Sequence, residues 1–116
     1  MLLWVALGRR LPPGHEQEGE RPALLVGVPA KLGRPRFSML LVAPVTSCHR
    51  QPWAQAAPRL YPRLEAGVAN LPRASLVLLD QLQTLDARRV LRHLGDLSET
   101  QYAPIAEGLA TLLART

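Results

Sequence analysis

One segment of the chain decides the fold, because it joins a long polar loop to an apolar strand: Gly14-His15-Glu16-Gln17-Glu18-Gly19-Glu20-Arg21-Pro22-Ala23-Leu24-Leu25-Val26. Its polar half belongs to Gly8–Glu20, and a loop of this length in a compact domain commonly carries function. Its apolar half continues as Ala23–Val28, an unbroken hydrophobic run that stops before Pro29. Such a run, bounded by proline, predicts a buried strand.

Similar apolar runs lie on both sides of this segment, separated by proline and glycine. Each is short enough for a strand and too short for a membrane span, which needs about 20 apolar residues. The predicted strands are Leu2–Leu7, Ala23–Val28, Phe37–Val45, Tyr61–Glu65, Ser75–Leu79, Leu82–Leu85 and Val90–Leu94. Between them we predict a positively charged turn at Lys31–Arg36, an irregular surface loop at Ser47–Pro62 and one helical turn at Asp86–Arg89.

The end of the chain changes its hydrophobic period. Ser98 is a favourable N-cap, and Gln101 completes the pattern of a capping box. The apolar positions that follow share one face of a helix; they are Ile105, Leu109, Leu112 and Leu113. Pro104, early in this helix, is expected to weaken or kink it. Many short strands followed by one helix, without a βαβ rhythm, predict a small antiparallel barrel with a helix packed against it.

The bulk composition fits one folded domain over residues 1–116. Hydrophobic residues make up 47% of the chain, and the net charge is +5. Lys31 is the only lysine, so nearly all the positive charge is arginine, whose planar fork binds phosphates. This excess indicates a nucleic acid or acidic protein partner, or else a GC-rich genome. Cys48 is the only cysteine, which excludes an internal disulfide or a cysteine-based metal site and is typical of the cytoplasm.

Four segments, in order along nearly the whole chain, resemble the MazF/PemK family of toxins. In that family a loop with Gly-Ser-Glu-Gln leads through Arg-Pro into an apolar strand, as Gly14–Val26 does here. Trp4-Val5-Ala6-Leu7 is similar to the first strand of the family. Pro44-Val45-Thr46-Ser47 is similar to its central Thr-Ser or Thr-Gln motif. Ser75–Gln81, followed by Thr84–Arg89, is similar to its late strand and Asp-Gln motif. Leu94-Gly95-Asp96-Leu97-Ser98 before the final helix also fits the family pattern.

The resemblance implies a mainly β fold with a C-terminal helix, an SH3-like small barrel that works as a homodimer. It implies the toxin of a type II toxin–antitoxin system, cutting single-stranded mRNA at specific sequences without a metal or other cofactor. The implied partners are that RNA and a MazE-like antitoxin that blocks the RNA groove, with DNA contacted only through the antitoxin complex and no membrane. The implied catalytic residues are Arg21, Thr46 and Glu16, and the implied RNA contacts are His15, Gln17, Arg34, Arg36, Ser47 and Gln81.

The chemistry of RNA cleavage suits two of these residues. RNA carries its own nucleophile, the 2′-OH beside each phosphate, and its attack leaves a 2′,3′-cyclic phosphate and a 5′-OH. No metal is required if hydrogen-bond donors stabilise the charge that develops on the phosphate. Arg21 offers a planar fork to phosphate oxygens, and Thr46 can donate its hydroxyl. They lie at the start of one predicted strand and the end of another, and adjacent antiparallel strands bring such ends together.

The acceptor of the 2′-OH proton is less clear from the sequence. Arginine is a poor general base because it does not readily lose its proton. Glu16 is the nearest carboxylate in the motif, and His15 is a second candidate because imidazole titrates near neutral pH. The acceptor therefore stays open between Glu16, His15 and water. A structural alternative also stays open for Arg21, which could pair with Glu16 or Glu20, and for Thr46, which could only end a strand.

Two rival functions are compatible with the same fold. Gyrase-poisoning toxins of the CcdB type resemble one another in a short C-terminal tail containing Trp, whereas this chain ends Leu112–Thr116 without one. The second rival is a non-catalytic relative that binds only RNA or antitoxin. It stays open because fewer residues precede Trp4 than in the family, through a clipped first strand or a misassigned start codon. Independently of the function, Asp80 and Gln81 could only tie a turn by hydrogen bonds, and Arg34 and Arg36 could be solvated loop charges.

Overall fold

The structure, a computed structural model, describes residues 1–9, 11–12 and 14–116. The strands are β1 (Leu2–Ala6), β2 (Glu20–Gly27), β3 (Met39–Ser47), β4 (Arg63–Leu64), β5 (Ser75–Val77), β6 (Gln83–Asp86) and β7 (Val90–Gly95). The helices are α1 (Pro52–Gln55) and α2 (Glu99–Leu112), and 3₁₀ turns lie at Pro29–Leu32, Val68–Asn70, Leu79–Gln81 and Ala87–Arg89. Each predicted strand is found, with ends shifted by a few residues, and part of the predicted loop at Ser47–Pro62 forms α1.

The strands form a single antiparallel sheet. Its order is β4-β5-β3-β2-β1-β7, and β6 also pairs with β3. The prediction of a mainly β fold with a C-terminal helix is confirmed. Within the described residues the edge strands β4 and β7 do not pair with each other, so the sheet curls like a small barrel without closing.

The central strand β3 changes partner along its length. Met39–Val42 pair with β6, whereas Val45–Ser47 pair with β5. Pro44 lies where the partner changes, and its carbonyl accepts a hydrogen bond from the backbone N–H of Leu78 at 2.9 Å. Proline has no N–H to donate, so it fits best where a ladder is interrupted. The strand therefore continues to Ser47 rather than ending at Val45 as predicted.

Successive residues of β1, β2 and β3 face opposite sides of the sheet, so two apolar clusters form. The first lies under α2 and contains Leu2, Leu24, Ala43, Val45, Leu64, Leu71, Val77, Leu79, Ile105 and Leu109. The second lies on the other face and contains Leu3, Val5, Leu7, Ala23, Val42 and Leu85. Complete burial of Ile105 in the first cluster is worth about 1.5–3 kcal/mol.

The helix α2 begins with the predicted capping box. The hydroxyl of Ser98 accepts from the backbone N–H of Gln101 at 3.1 Å, and the Gln101 side chain accepts from the backbone N–H of Ser98 at 2.8 Å. The helix continues through Pro104, so this proline does not end it. Leu112 and Leu113, at the far end, are exposed. No helix of the described residues is long and apolar enough to cross a bilayer.

We predict that Ser98→Ala lowers the free energy of unfolding by about 1 kcal/mol, because two N–H groups of the first turn lose their capping arrangement. Urea denaturation followed by circular dichroism measures this loss. Thr100→Ala, in the same turn and exposed, is the control and should not destabilise. Equal stability of Ser98→Ala and the parent would show that the cap contributes nothing.

Candidate functional site

A cavity of about 550 Å³ opens at one end of the sheet. Its walls come from β1, β2, the end of β3, the segment before β5, and β7. The lining residues are Trp4, Arg21, Pro22, Val45, Thr46, Ser47, Asn70, Leu71, Pro72, Arg73, Ser75, Arg92, His93 and Leu94. The predicted residues Arg21, Thr46 and Ser47 all belong to this set.

Arg21 and Thr46 line the same cavity because β2 and β3 are antiparallel neighbours. The paired positions run from Gly27 opposite Leu41 to Ala23 opposite Pro44. Arg21 and Thr46 each lie two residues beyond this last pair, on their own strands. Residues 25 positions apart in the chain thus line one cavity, as the predicted strand ends required.

The Arg21 side chain is anchored without being neutralised. Its Nε donates to the backbone carbonyl of Glu18 at 2.8 Å, and no hydrogen bond from its two terminal nitrogens to another described residue is found. Glu20, the neighbouring carboxylate, accepts from the indole Nε1 of Trp4 at 3.1 Å instead. Among the described residues Arg21 forms no ion pair, so the structural alternative of an Arg21–Glu16 or Arg21–Glu20 pair is not realised.

The cavity also contains side chains that the sequence analysis did not single out. Arg73 and Arg92 line it, and the Arg92 guanidinium carbon lies 5.9 Å from the centre of the Trp4 ring. His93 follows Arg92 on β7, and the pairing of β7 with β1 places Arg92 opposite Trp4. The pairing of the first strand with the last brings Arg92 and His93 to the cavity that Arg21 lines. No local pattern in the sequence signals it.

The charge of the cavity is one-sided. Three arginines line it, namely Arg21, Arg73 and Arg92, and among the described residues no Asp or Glu does. Such a wall attracts phosphate groups and other anions. Separately, the described residues contain no group of three or more His, Cys, Asp or Glu side chains arranged to hold a metal ion.

The loop before β2 is tied down by Gln81. The Gln81 side-chain nitrogen donates to the carbonyl of His15 at 3.1 Å, and its oxygen accepts from the backbone N–H of Gln17 at 2.7 Å. These bonds give Gln81 the turn-tying role that the sequence left open. Neither His15, Gln17 nor Gln81 is part of the cavity lining, so a contact with the ligand would have to lie outside it.

The remaining predicted residues are also placed outside the cavity. Glu16 is exposed in the loop, and its carboxylate folds back over Gly14. Arg34 and Arg36 are exposed in the segment before β3, where the Arg36 guanidinium carbon lies 5.6 Å from the centre of the Phe37 ring. The structure therefore brings together Arg21, Thr46 and Ser47 and leaves the other six predicted residues apart from them.

Asp80, which precedes Gln81, is engaged by a tyrosine. The Tyr61 hydroxyl donates to Asp80 Oδ2 at 2.6 Å, and the Tyr61 ring packs edge-on against Trp53 with centroids 4.8 Å apart. The bond to Asp80, then burial and the carboxylate charge, raise the pKa of Tyr61 above its ordinary value of 10.0. The carboxylate of Asp80 thus holds the Tyr61 side chain by a hydrogen bond.

We predict that Asp80→Asn lowers the pKa of Tyr61 towards its ordinary value, because the bond to a charged acceptor is lost. A tyrosine pKa raised by folding adds stability below the unfolded value, and this stability is lost as pH rises through the folded value. Tyrosinate absorbance during alkaline titration measures the change, since Tyr61 and Tyr102 are the only tyrosines. Asp86→Asn, a carboxylate held by Arg88, is the control. An unchanged titration in Asp80→Asn would contradict the assignment.

The comparisons with known proteins agree with this fold. Residues 2–113 match the family model described as PemK-like, MazF-like toxin of type II toxin–antitoxin system, and the chain belongs to this family. A search of curated proteins gives no match.

Solved structures of similar fold include two from Deinococcus radiodurans. MazF (form I) has 27% sequence identity, a TM-score of 0.71, and coverage of 98% of this chain and 93% of that chain. The MazE–MazF structure (form II) has 26% identity, a TM-score of 0.66, and coverage of 99% and 93%. An Mtb toxin, at 22% identity, a TM-score of 0.65 and coverage of 96% and 98%, shares the fold.

Proposed function

We propose that this toxin is a sequence-specific endoribonuclease that cuts single-stranded mRNA without a metal and leaves 2′,3′-cyclic phosphate and 5′-OH ends. The observation that carries the proposal is the convergence of Arg21 and Thr46 on one arginine-rich cavity. The family is one of toxins, and the cavity supplies the two donors that phosphate chemistry needs.

Arg21 and Thr46 stabilise the phosphate as the 2′-oxygen attacks. The Nε of Arg21 is occupied by the Glu18 carbonyl, so the guanidinium is fixed in place and its terminal N–H groups point to the phosphate oxygens. Preorganised donors of this kind act without a reorganisation cost during the reaction. The hydroxyl of Thr46 donates to the same phosphate from the facing strand.

The other cavity residues bind the flanking nucleotides. Arg73 and Arg92 contact neighbouring phosphates, and their removal would weaken binding of all RNA sequences and reduce its salt dependence. The half-buried Trp4 ring offers a stacking surface for one base, and Ser47 offers a hydroxyl at the end of β3. Single-stranded RNA fits this arrangement because its bases are free to turn outward.

The predicted residues outside the cavity contact only those parts of the RNA chain that extend beyond the cavity. The loop carries Glu16, Gln17 and the exposed His15, and the segment before β3 carries Arg34 and Arg36. Gln81 acts on RNA indirectly, by fixing the loop.

The charge of the same cavity and a structure of similar fold support the proposed partners. The Deinococcus radiodurans structure contains MazF with MazE, and an antitoxin of that type is the partner proposed for this chain. An acidic, flexible antitoxin segment would fold on binding and cover the three cavity arginines. We also propose that the toxin is a homodimer and acts in the cytoplasm, where its mRNA substrate is.

We predict that Arg21→Ala lowers kcat for RNA cleavage about 10²- to 10³-fold, as expected when one donor to a developing anion is removed. Thr46→Val keeps the shape of the side chain and should also lower kcat. The measurement uses a long unstructured RNA with EDTA and maps the 2′,3′-cyclic phosphate and 5′-OH ends.

The controls are an arginine and a threonine outside the cavity, Arg88→Ala and Thr84→Val, both at exposed positions. They should cleave like the parent. A parent protein that cuts no RNA, or an Arg21→Ala variant as active as the parent, would refute the enzymatic function. RNA binding without cleavage would instead favour the non-catalytic relative.

A further inference from the structure

Of the residues predicted for catalysis, none that lines the cavity can accept the 2′-OH proton. Attack by the 2′-oxygen needs an acceptor for its proton, and arginine seldom serves because it holds its own proton. Glu16 and His15, the acceptors expected from the sequence, are outside the cavity lining. No carboxylate of the described residues lines it either.

His93 fills this gap by position. It lies on β7 opposite Leu3 of β1 and lines the same cavity as Arg21 and Thr46. Among the described lining residues it is the only histidine, and the other ionisable side chains there are arginines, which hold their protons. Its imidazole is half exposed, at 49%, so a substrate can reach it.

The His93 ring is held by a carboxylate. Its Nε2 lies 3.1 Å from Oδ1 of Asp96, three residues further along the chain. An ionised carboxylate can only accept, so the neutral ring donates through Nε2 and leaves Nδ1 with its lone pair. The ring is thus in the tautomer that a general base needs, in which Nδ1 can accept a proton, as in other carboxylate–histidine pairs.

The other charged groups that the structure describes beside Asp96 and in the cavity lining are cationic. Asp96 also lies 3.9 Å from the amino group of Met1. On the cavity side, Arg92 stacks over Trp4, while Arg21 and Arg73 face the same space. Both side chains of the His93–Asp96 contact are exposed, so the contact adds little to the free energy of unfolding.

We propose that His93 is the general base of the RNA cleavage reaction and that Asp96 positions it. The inference rests on the proposed ribonuclease function. The 2′-O–H proton passes to Nδ1 of His93 as the 2′-oxygen forms its bond to phosphorus. The bond from phosphorus to the 5′-oxygen breaks, and the 5′-oxygen takes a proton from water. His93 then releases its proton to solvent, so the step is balanced without a co-reactant.

The first test separates chemistry from binding. His93→Gln keeps an amide that can donate to Asp96 but cannot act as a base. We expect single-turnover cleavage to fall about 10²- to 10⁴-fold. Binding of the same RNA carrying a 2′-deoxy nucleotide at the cleavage position should stay within about threefold, since a general base contributes little to ground-state binding. His49→Gln, an exposed histidine outside the cavity, should cleave like the parent.

The second test uses pH and the leaving group. For the parent, kcat/KM should fall on the acid side as the base becomes protonated, and His93→Gln should lose this limb. Asp96→Asn should give a smaller loss because it disturbs only the orientation and tautomer of the ring. A substrate with a sulfur leaving group in place of the 5′-oxygen needs no acid. The defect of His93→Gln should persist with it, whereas rescue would make His93 the acid and overturn the proposal.

The outcomes distinguish this inference from the function on which it rests. Parent-like cleavage by His93→Gln at every pH, with Arg21→Ala inactive, would overturn the role of His93 and leave the ribonuclease function standing. An acid limb that persists unchanged in His93→Gln would do the same. A parent protein that cuts no RNA would remove both. Unfolding of His93→Gln, detected by circular dichroism, would move the test to Asp96→Asn at its exposed position.

Discussion

The antiparallel pairing of β2 with β3 is the constraint on which the site depends. The ladder runs from Gly27 opposite Leu41 to Ala23 opposite Pro44. Pro44 belongs to this last pair, and Pro22 is the next residue of β2. Pro22 and Pro44 have no N–H groups, so neither can donate to a continuation of the ladder. Beyond them β3 turns to β5 and the strands separate enough for a cavity, with Arg21 on one wall and Thr46 on the other.

The rest of the sheet supports this opening. The β2 strand is held on its other side by β1, and β1 in turn by β7, so Trp4, Arg92 and His93 are carried to the same space. The alternation of these strands places Leu2 and Leu24 in the core under α2 while their neighbours face the second apolar cluster. Packing on both faces keeps the register, because a slip by one residue would exchange the two faces.

The loop before β2 contributes no described lining residue to the cavity, and its hydrogen bonds act in positioning. Gln81 holds its backbone through two hydrogen bonds, and the carbonyl of Glu18 holds the Arg21 guanidinium. The polar groups of the loop are thereby used in positioning. The arginines that face the cavity have no carboxylate in its described lining to neutralise them, which leaves their charge available for an anionic ligand.

Local patterns in the sequence determined the strands and the capping box at Ser98 and Gln101. These features depend on contacts between residues close in the chain or on apolar periodicity, which the sequence displays directly. The resemblance to the family indicated Arg21 and Thr46, at the ends of two strands. Only the tertiary structure decided which ionisable side chains share the cavity. Glu16 is near Arg21 in sequence but lies outside the cavity lining, while His93 is remote in sequence and lines the cavity because β7 pairs with β1. Pairing between distant strands depends on the packing of the whole sheet, and no short motif records it.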